Sequence, residues 1–301
     1  MASTHEYEKD LRNNDIKIYI NGIFFHRSKA KISVMDSGFL LGDGVWEGIR
    51  VYKGKLLHLK DHLDRLYNGA KLIDMKINLS KNQLKRDLIK TLDKNNMRSN
   101  VHIRLIISRG LKETPYQDPR VTIGNPTIVI IPEYKKVNME VINKGITIAT
   151  VKTRRDIMVQ NPQINSLSKH NCIAACIEAT KLGVDEGLML DPYENVSTCN
   201  STNFFIVKNQ EVWTSKGQYC LNGITRGNII RLCKENNIKV FEKDFSVKNV
   251  HTADEVFVTG TFAGVIPVVE VDGFIINNSL PGKITKLLQN YYNLDIEKIV
   301  S

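Results

Sequence analysis

Cysteine is scarce and odd in number. The 301 residues hold five, Cys172, Cys176, Cys199, Cys220 and Cys233, too few and unevenly spaced for a disulfide framework, so reduced thiols are expected. Cys172 and Cys176 lie one helical turn apart, but no second pair supplies the other ligands of a zinc site, and His170 does not complete one; no metal is expected. Long apolar runs are also missing. The longest, residues 103–107 around Arg104 and residues 127–131, are strand-sized, which excludes a helical membrane span. Residues 1–10 are polar and of mixed charge, without the apolar core of a secretory signal, and a cytoplasmic chain is expected. Internal repeats and low-complexity tracts are absent. So is any basic block interleaved with aromatics. The 42 lysines and arginines exceed the 32 acids by ten, yet their densest runs are the doublets Lys135-Lys136 and Arg154-Arg155. That spread argues against nucleic acid and suits a small anionic ligand.

What is present is an ordinary globular composition, 42% hydrophobic and 25% charged, at a length that suggests two domains. Two short strands flank Asn21-Gly22, a hairpin signal. Residues 36–43, rich in glycine, read as a tight loop before a strand at 46–52. Leu63, Leu66, Ala70 and Ile73 mark an amphipathic helix over 59–74, and a second helix runs over 80–94 with Ser80 as its N-cap. Strands at 101–108 and 127–132 follow. The charged stretch 133–145 separates an N-terminal α/β domain, 1–135, from a C-terminal domain, 146–301, with 136–145 as linker. Beyond it come strands at 146–151, 187–191, 203–208, 211–214, 239–243 and 255–259. Helices are expected at 168–182, ending at Gly183, at 225–236 and at 284–291. A hairpin is expected near Asp272-Gly273. Strands mixed with helices in two halves give an α/β or α+β fold.

Three features point to an anion site. Asn222-Gly223-Ile224-Thr225-Arg226-Gly227 ends a loop and opens a helix, whose free amides and dipole suit a phosphate; Thr225 as a plain N-cap is the commoner meaning of such a residue. The strand ending at Thr259 runs into Gly260-Thr261, where glycine admits close approach and Thr261 offers a hydroxyl. Arg65 lies on the first helix, where most arginines form surface ion pairs.

Together with Met35-Asp36-Ser37-Gly38-Phe39-Leu40-Leu41-Gly42-Asp43-Gly44-Val45-Trp46-Glu47-Gly48-Ile49-Arg50, with His62 to Leu66 and with Asp254 to Thr261, these segments resemble the class IV, fold-type IV pyridoxal-phosphate enzymes. That family includes branched-chain aminotransferases, D-amino acid transaminases and aminodeoxychorismate lyase. The resemblance covers residues 16 to 273. It implies a two-domain subunit with a smaller N-terminal and larger C-terminal domain, pyridoxal 5'-phosphate in the cleft between them, and a homodimer. It implies that Arg65 pairs with the cofactor phosphate, that Ile224 and Thr225 give it backbone donors, and that Thr261 gives a hydroxyl. Arg104 and Arg109 lie near positions that meet substrate carboxylates; structural strand-end charges are the alternative.

Two positions depart from the family. Aligned on Glu178-Ala179, the family's Lys-Ser-Leu-Asn becomes Asn165-Ser166-Leu167-Ser168. An amide nitrogen cannot form a Schiff base, because its lone pair is delocalised into the carbonyl. The family's glutamate at the pyridine nitrogen becomes Thr198, which can hydrogen-bond a neutral pyridine but cannot hold a pyridinium by charge. Lys169, four residues after Asn165 and near a position where the family places a tyrosine, is the amine that could reach the cofactor; a helix N-terminus lowers a lysine's pKa. An exposed helix lysine is the plainer meaning. The expected activity is transfer of an amino group between a small, branched-chain-like amino acid and a 2-oxo acid. The alternatives are a non-catalytic binding or regulatory homologue, a lyase-type reaction on the same fold, and an engineered asparagine, against which Thr198 suggests natural divergence.

Overall fold

The computed structural model describes residues 9–301; the expectation for residues 1–10 falls largely outside them. A six-stranded antiparallel sheet forms from the first half, in the order Ile23–His26, Lys17–Ile20, Thr127–Tyr134, Val101–Ser108, Gly44–Tyr52, Lys55–Leu56. Helices Leu59–Leu72 and Lys81–Lys94 pack on it. Leu63, Leu66 and Ala70 bury one helix face against Val45, Ile49, Ile103 and Leu105, as their spacing predicts. Ser80 caps the second helix in a capping box with Gln83.

The second half builds a nine-stranded mixed sheet. Its path is Val196–Cys199, Glu186–Leu190, Ile146–Thr150, Gly264–Val271, Glu255–Gly260, Asn203–Lys208, Glu211–Thr214, Val240–Glu242, with Phe274–Ile275 paired to Gly264–Val271. Helices Ile224–Glu235 and Lys283–Val300 bury Ile229, Leu288, Tyr292 and Ile296 against Phe205, Phe257 and Val265. The Glu255 carboxylate accepts from the amides of Ile284 and Thr285 at 2.9 and 2.7 Å, which fixes the start of the last helix. Among the described residues no helix is long and apolar enough to cross a membrane.

Several local expectations need correcting. Residues 36–43 are not a loop: Ser37–Leu41 is a short helix, capped by the Asp36 side chain and closed by Gly42 at φ 66°, so the acid and the glycine are helix punctuation. Strand Val196–Cys199 is an addition to the expected set, continuously buried and without alternation; Gly264–Val271, buried over its first five residues, pairs with Phe274–Ile275 as the hairpin expected at Asp272-Gly273. The last helix continues well past residue 291, since Leu288, Tyr292 and Ile296 keep a four-residue spacing. Within the stretch read as linker, Met139–Lys144 forms a helix whose Val141 packs into the second sheet's core.

The segment after residue 164 ties the two sheets together. The Trp46 amide donates to the Asn165 carbonyl at 2.9 Å, and the Leu167 amide to the Gly44 carbonyl at 3.0 Å. Asn165 is thereby held against the first sheet, at the edge of the cleft described next.

Candidate active site

Residues from both halves line a cleft of about 860 Å3. Among the described residues, six lysine and arginine side chains reach it, Arg27, Arg65, Arg104, Lys135, Arg155 and Lys169, against one carboxylate, Glu133. Such a lining draws anions in.

One end is built around Arg65. Its Nε and Nη2 donate to the two oxygens of Glu47 at 2.8 and 2.7 Å, and its Nη1 donates to the Asn222 carbonyl at 3.1 Å. A guanidinium carries five N–H groups, so two remain for a ligand. Glu47 is wholly buried and also binds His62 Nδ1 at 2.6 Å. Burial alone would push its carboxyl up, but Arg65 and His62 outweigh this and hold it below the usual carboxylate range.

Asn222 stands two residues before the first residue of helix Ile224–Glu235. The N-cap is Gly223, not Thr225, which sits buried in the first turn. A Cβ at Gly223 would collide with Asn203 Oδ1, so only glycine allows the approach. With no side-chain cap at this start, the first amides are left to a ligand. Arg65 and these amides therefore converge. Thr261 lines the same cleft. So does Thr259, which sequence reasoning passed over: its Oγ1 is buried and has no hydrogen-bond partner among the described residues. Two-residue alternation from Thr261 was the available signal.

Trp46 lines the cleft beside the segment at 165–167 and is a further residue that sequence reasoning passed over. Arg104 places its guanidinium 4.2 Å from the Trp46 ring centroid, and Lys169 its Nζ at 5.2 Å, both cation–π distances. Lys169 is half-buried and donates from Nζ to Asn165 Oδ1 at 3.0 Å. Withdrawal from water pushes its ammonium down to about 8; Arg155, Arg65 and Arg104 add to the shift and Cys172 opposes it. Desolvation leads here, where the sequence argument invoked the helix dipole.

Thr198 is buried and lines the cleft, but its hydroxyl donates to the Thr202 carbonyl at 2.7 Å. Its single hydrogen is committed, so it can only accept. With that hydrogen on the Thr202 carbonyl, the Thr198 oxygen keeps its acceptor capacity for a ligand. Cys199 is fully buried, and burial with Glu186 nearby pushes its thiol well up, which leaves it protonated.

Arg109 is not brought to the cleft. It donates to Asp43 at 2.6 and 3.1 Å and to the carbonyls of Asp74 and Ile73 at 3.0 and 2.7 Å. Those bonds commit four of its five N–H groups to structure, and of the two arginines only Arg104 lines the cleft.

Residues 44–271 match the model of the amino-transferase class IV family. A Methanocaldococcus jannaschii protein named "Putative branched-chain-amino-acid aminotransferase" is 42% identical over 92% of this chain and 95% of its own length. The D-alanine aminotransferase of Listeria innocua is 32% identical over 95% and 96%. The chain spans about half the length of two Arabidopsis thaliana branched-chain-amino-acid aminotransferase-like proteins. Among solved structures, the branched-chain amino acid aminotransferase of Escherichia coli superposes with a TM-score of 0.87 at 27% identity, over 93% of this chain and 94% of that one. A T.th. branched-chain amino acid aminotransferase complexed with N-(5'-phosphopyridoxyl)-L-glutamate superposes equally well, with a TM-score of 0.87 at 27% identity over 95% and 94%.

Proposed function

The chain belongs to the class IV aminotransferases, fold-type IV transferases that use pyridoxal phosphate, and on that premise we propose that it exchanges the amino group of a small, branched-chain-like amino acid with a 2-oxo acid. One observation carries the reading: Arg65, with two N–H groups to spare, donates to the carbonyl that precedes an uncapped helix start. A phosphate dianion fits this cradle of guanidinium and amides. The unpartnered Thr259 hydroxyl beside the cleft fits the same group.

In this reading Arg65, the amides of Ile224 and Thr225, and the hydroxyls of Thr259 and Thr261 hold the cofactor phosphate. Thr198 accepts from its protonated ring nitrogen. When bound, pyridoxal phosphate supplies the electron sink that lets an amino group leave one carbon skeleton for another. Arg104, fixed over Trp46, pairs with the substrate carboxylate. Ile16, Ile18 and Ile131 give that cleft an apolar wall, suited to an aliphatic side chain. Lys169 Nζ, whose ammonium burial pushes down to about 8, takes and returns a proton at the substrate. The reading divides the chain at 136–145, supported by a separate sheet and core on each side. It includes a homodimer, which would cover exposed apolar side chains such as Val34, Phe39, Met158 and Val159.

The test is product analysis by mass spectrometry of the pyridoxal-phosphate-loaded protein with L- and D-amino donors and 2-oxo acids. Turnover fastest on aliphatic branched donors supports the reading; products of elimination would replace it with a lyase. Asn165 favours a second reading, a binding homologue, and bound cofactor with no product from any donor would establish that one instead.

A further inference from the structure

Asn165 lines the cleft with a side chain that cannot bond covalently to an aldehyde, yet the cleft does hold amines. Among the described residues two lysines line it, Lys135 and Lys169. The Lys135 ammonium lies 4.7 Å from the Phe262 ring centroid. Lys169 is placed differently. It is the N-cap of helix His170–Leu182, with φ −107° and ψ 10°, and its side chain turns back along the non-helical segment before it to Asn165. The Asn165 Oδ1 accepts from Nζ at 3.0 Å. Asn165 is itself buried and locked, its backbone carbonyl taking the Trp46 amide. A fixed acceptor thus aims a long, otherwise floppy side chain at the Trp46 ring, where Nζ meets a second anchor. Anchoring at both contacts offsets the rotamer entropy of a lysine.

Resting on the aminotransferase reading above, we propose that Lys169 is the amine that joins covalently to the cofactor, aimed by the side chain of Asn165. Neutral Nζ adds to the aldehyde carbon of pyridoxal phosphate and a C–N bond forms. Both amine hydrogens leave with the aldehyde oxygen as one water, giving a C=N bond with no change of oxidation state. Asn165 is a positioning residue in this scheme: it orients Nζ and touches no reacting atom. Burial pushes the ammonium down to about 8, so roughly a tenth of the amine is free at neutral pH, and the addition draws on that free amine.

The test uses the full chain with added pyridoxal phosphate, reduced with borohydride and mapped by peptide mass spectrometry. The expected result is one reduced adduct per chain, on the Lys169 peptide. In Lys169→Arg the visible absorbance of the link is lost, while cofactor retained on ultrafiltration persists. An adduct on Lys135 or elsewhere, or none while cofactor is retained, overturns the proposal. Turnover without an adduct on Lys169 would sink this inference and leave the aminotransferase reading standing. An adduct on Lys169 without turnover does the reverse, and failure to retain cofactor contradicts both.

Discussion

Glu47 binds Arg65 through both of its carboxylate oxygens, at 2.8 and 2.7 Å, from a position with no solvent exposure. The pair sets the angle at which the arginine's remaining N–H groups meet the cleft. Because Arg65 and His62 hold the Glu47 carboxyl below its ordinary value, its contribution to stability is fully present above the unfolded carboxylate range. It is lost as pH falls through the depressed folded value. Glu47→Gln is expected to flatten the acid limb of a stability–pH curve. Glu47→Ala, which strands a partly buried guanidinium, should cost about 3–5 kcal/mol in urea unfolding. An unchanged acid limb in Glu47→Gln would contradict this.

Arg65 itself should matter through the phosphate. Removing a charge-assisted donor costs about 1.5–3 kcal/mol, or roughly tenfold to a hundredfold in Kd. Arg65→Ala is expected to weaken pyridoxal phosphate by that range and to leave the binding of pyridoxal, which lacks the phosphate, nearly unchanged. Equal losses for both ligands would place Arg65 elsewhere in the site.

Arg104 and Arg109 should separate cleanly. Arg104→Ala is expected to raise KM for the amino acid by about tenfold or more, with little effect on melting. Arg109→Ala, which breaks the Asp43 pair and frees the Ile73 and Asp74 carbonyls, should lower the melting temperature and leave KM alone. Kinetics and thermal unfolding on the same two variants decide it.

Lys169 supplies the pH prediction. With its ammonium pushed down to about 8, the rate of covalent attachment of cofactor should rise with pH and level off above that value, where the free amine dominates. Asn165→Ala removes the acceptor that aims Nζ and is expected to slow attachment by roughly tenfold to a hundredfold, with cofactor affinity largely kept. A flat pH profile, or attachment in Asn165→Ala at the parent rate, would show that Asn165 does not position the amine.

Much of the fold could be read from local signals. Leu63, Leu66 and Ala70 announced a buried helix face, Asn21-Gly22 a hairpin, and Ser80 a helix start. Arg65 and the Gly223–Thr225 turn stood out in the sequence because a guanidinium and a helix start on short motifs suit an anion. What stayed hidden depends on how the folded chain surrounds each side chain. Arg109 pairs with Asp43 across 66 positions, so nothing local shows that its donors are spent. Thr198 becomes an acceptor only because the Thr202 carbonyl folds back onto it. Thr259 lost to Thr261 because burial, not residue type, separates them. The Lys169–Asn165 contact spans four positions, but residues 165–169 are not helical, so helical spacing does not announce it.

Amino-group transfer in a cleft with an amide at position 165 is the property to test. The most direct measurement incubates the cofactor-loaded protein with L-leucine carrying heavy nitrogen and an unlabelled 2-oxo acid, and weighs the amino acid formed from that acid. Heavy nitrogen is expected in the new amino acid, with transfer abolished in Lys169→Arg. Cofactor bound in full and no heavy nitrogen transferred would contradict it.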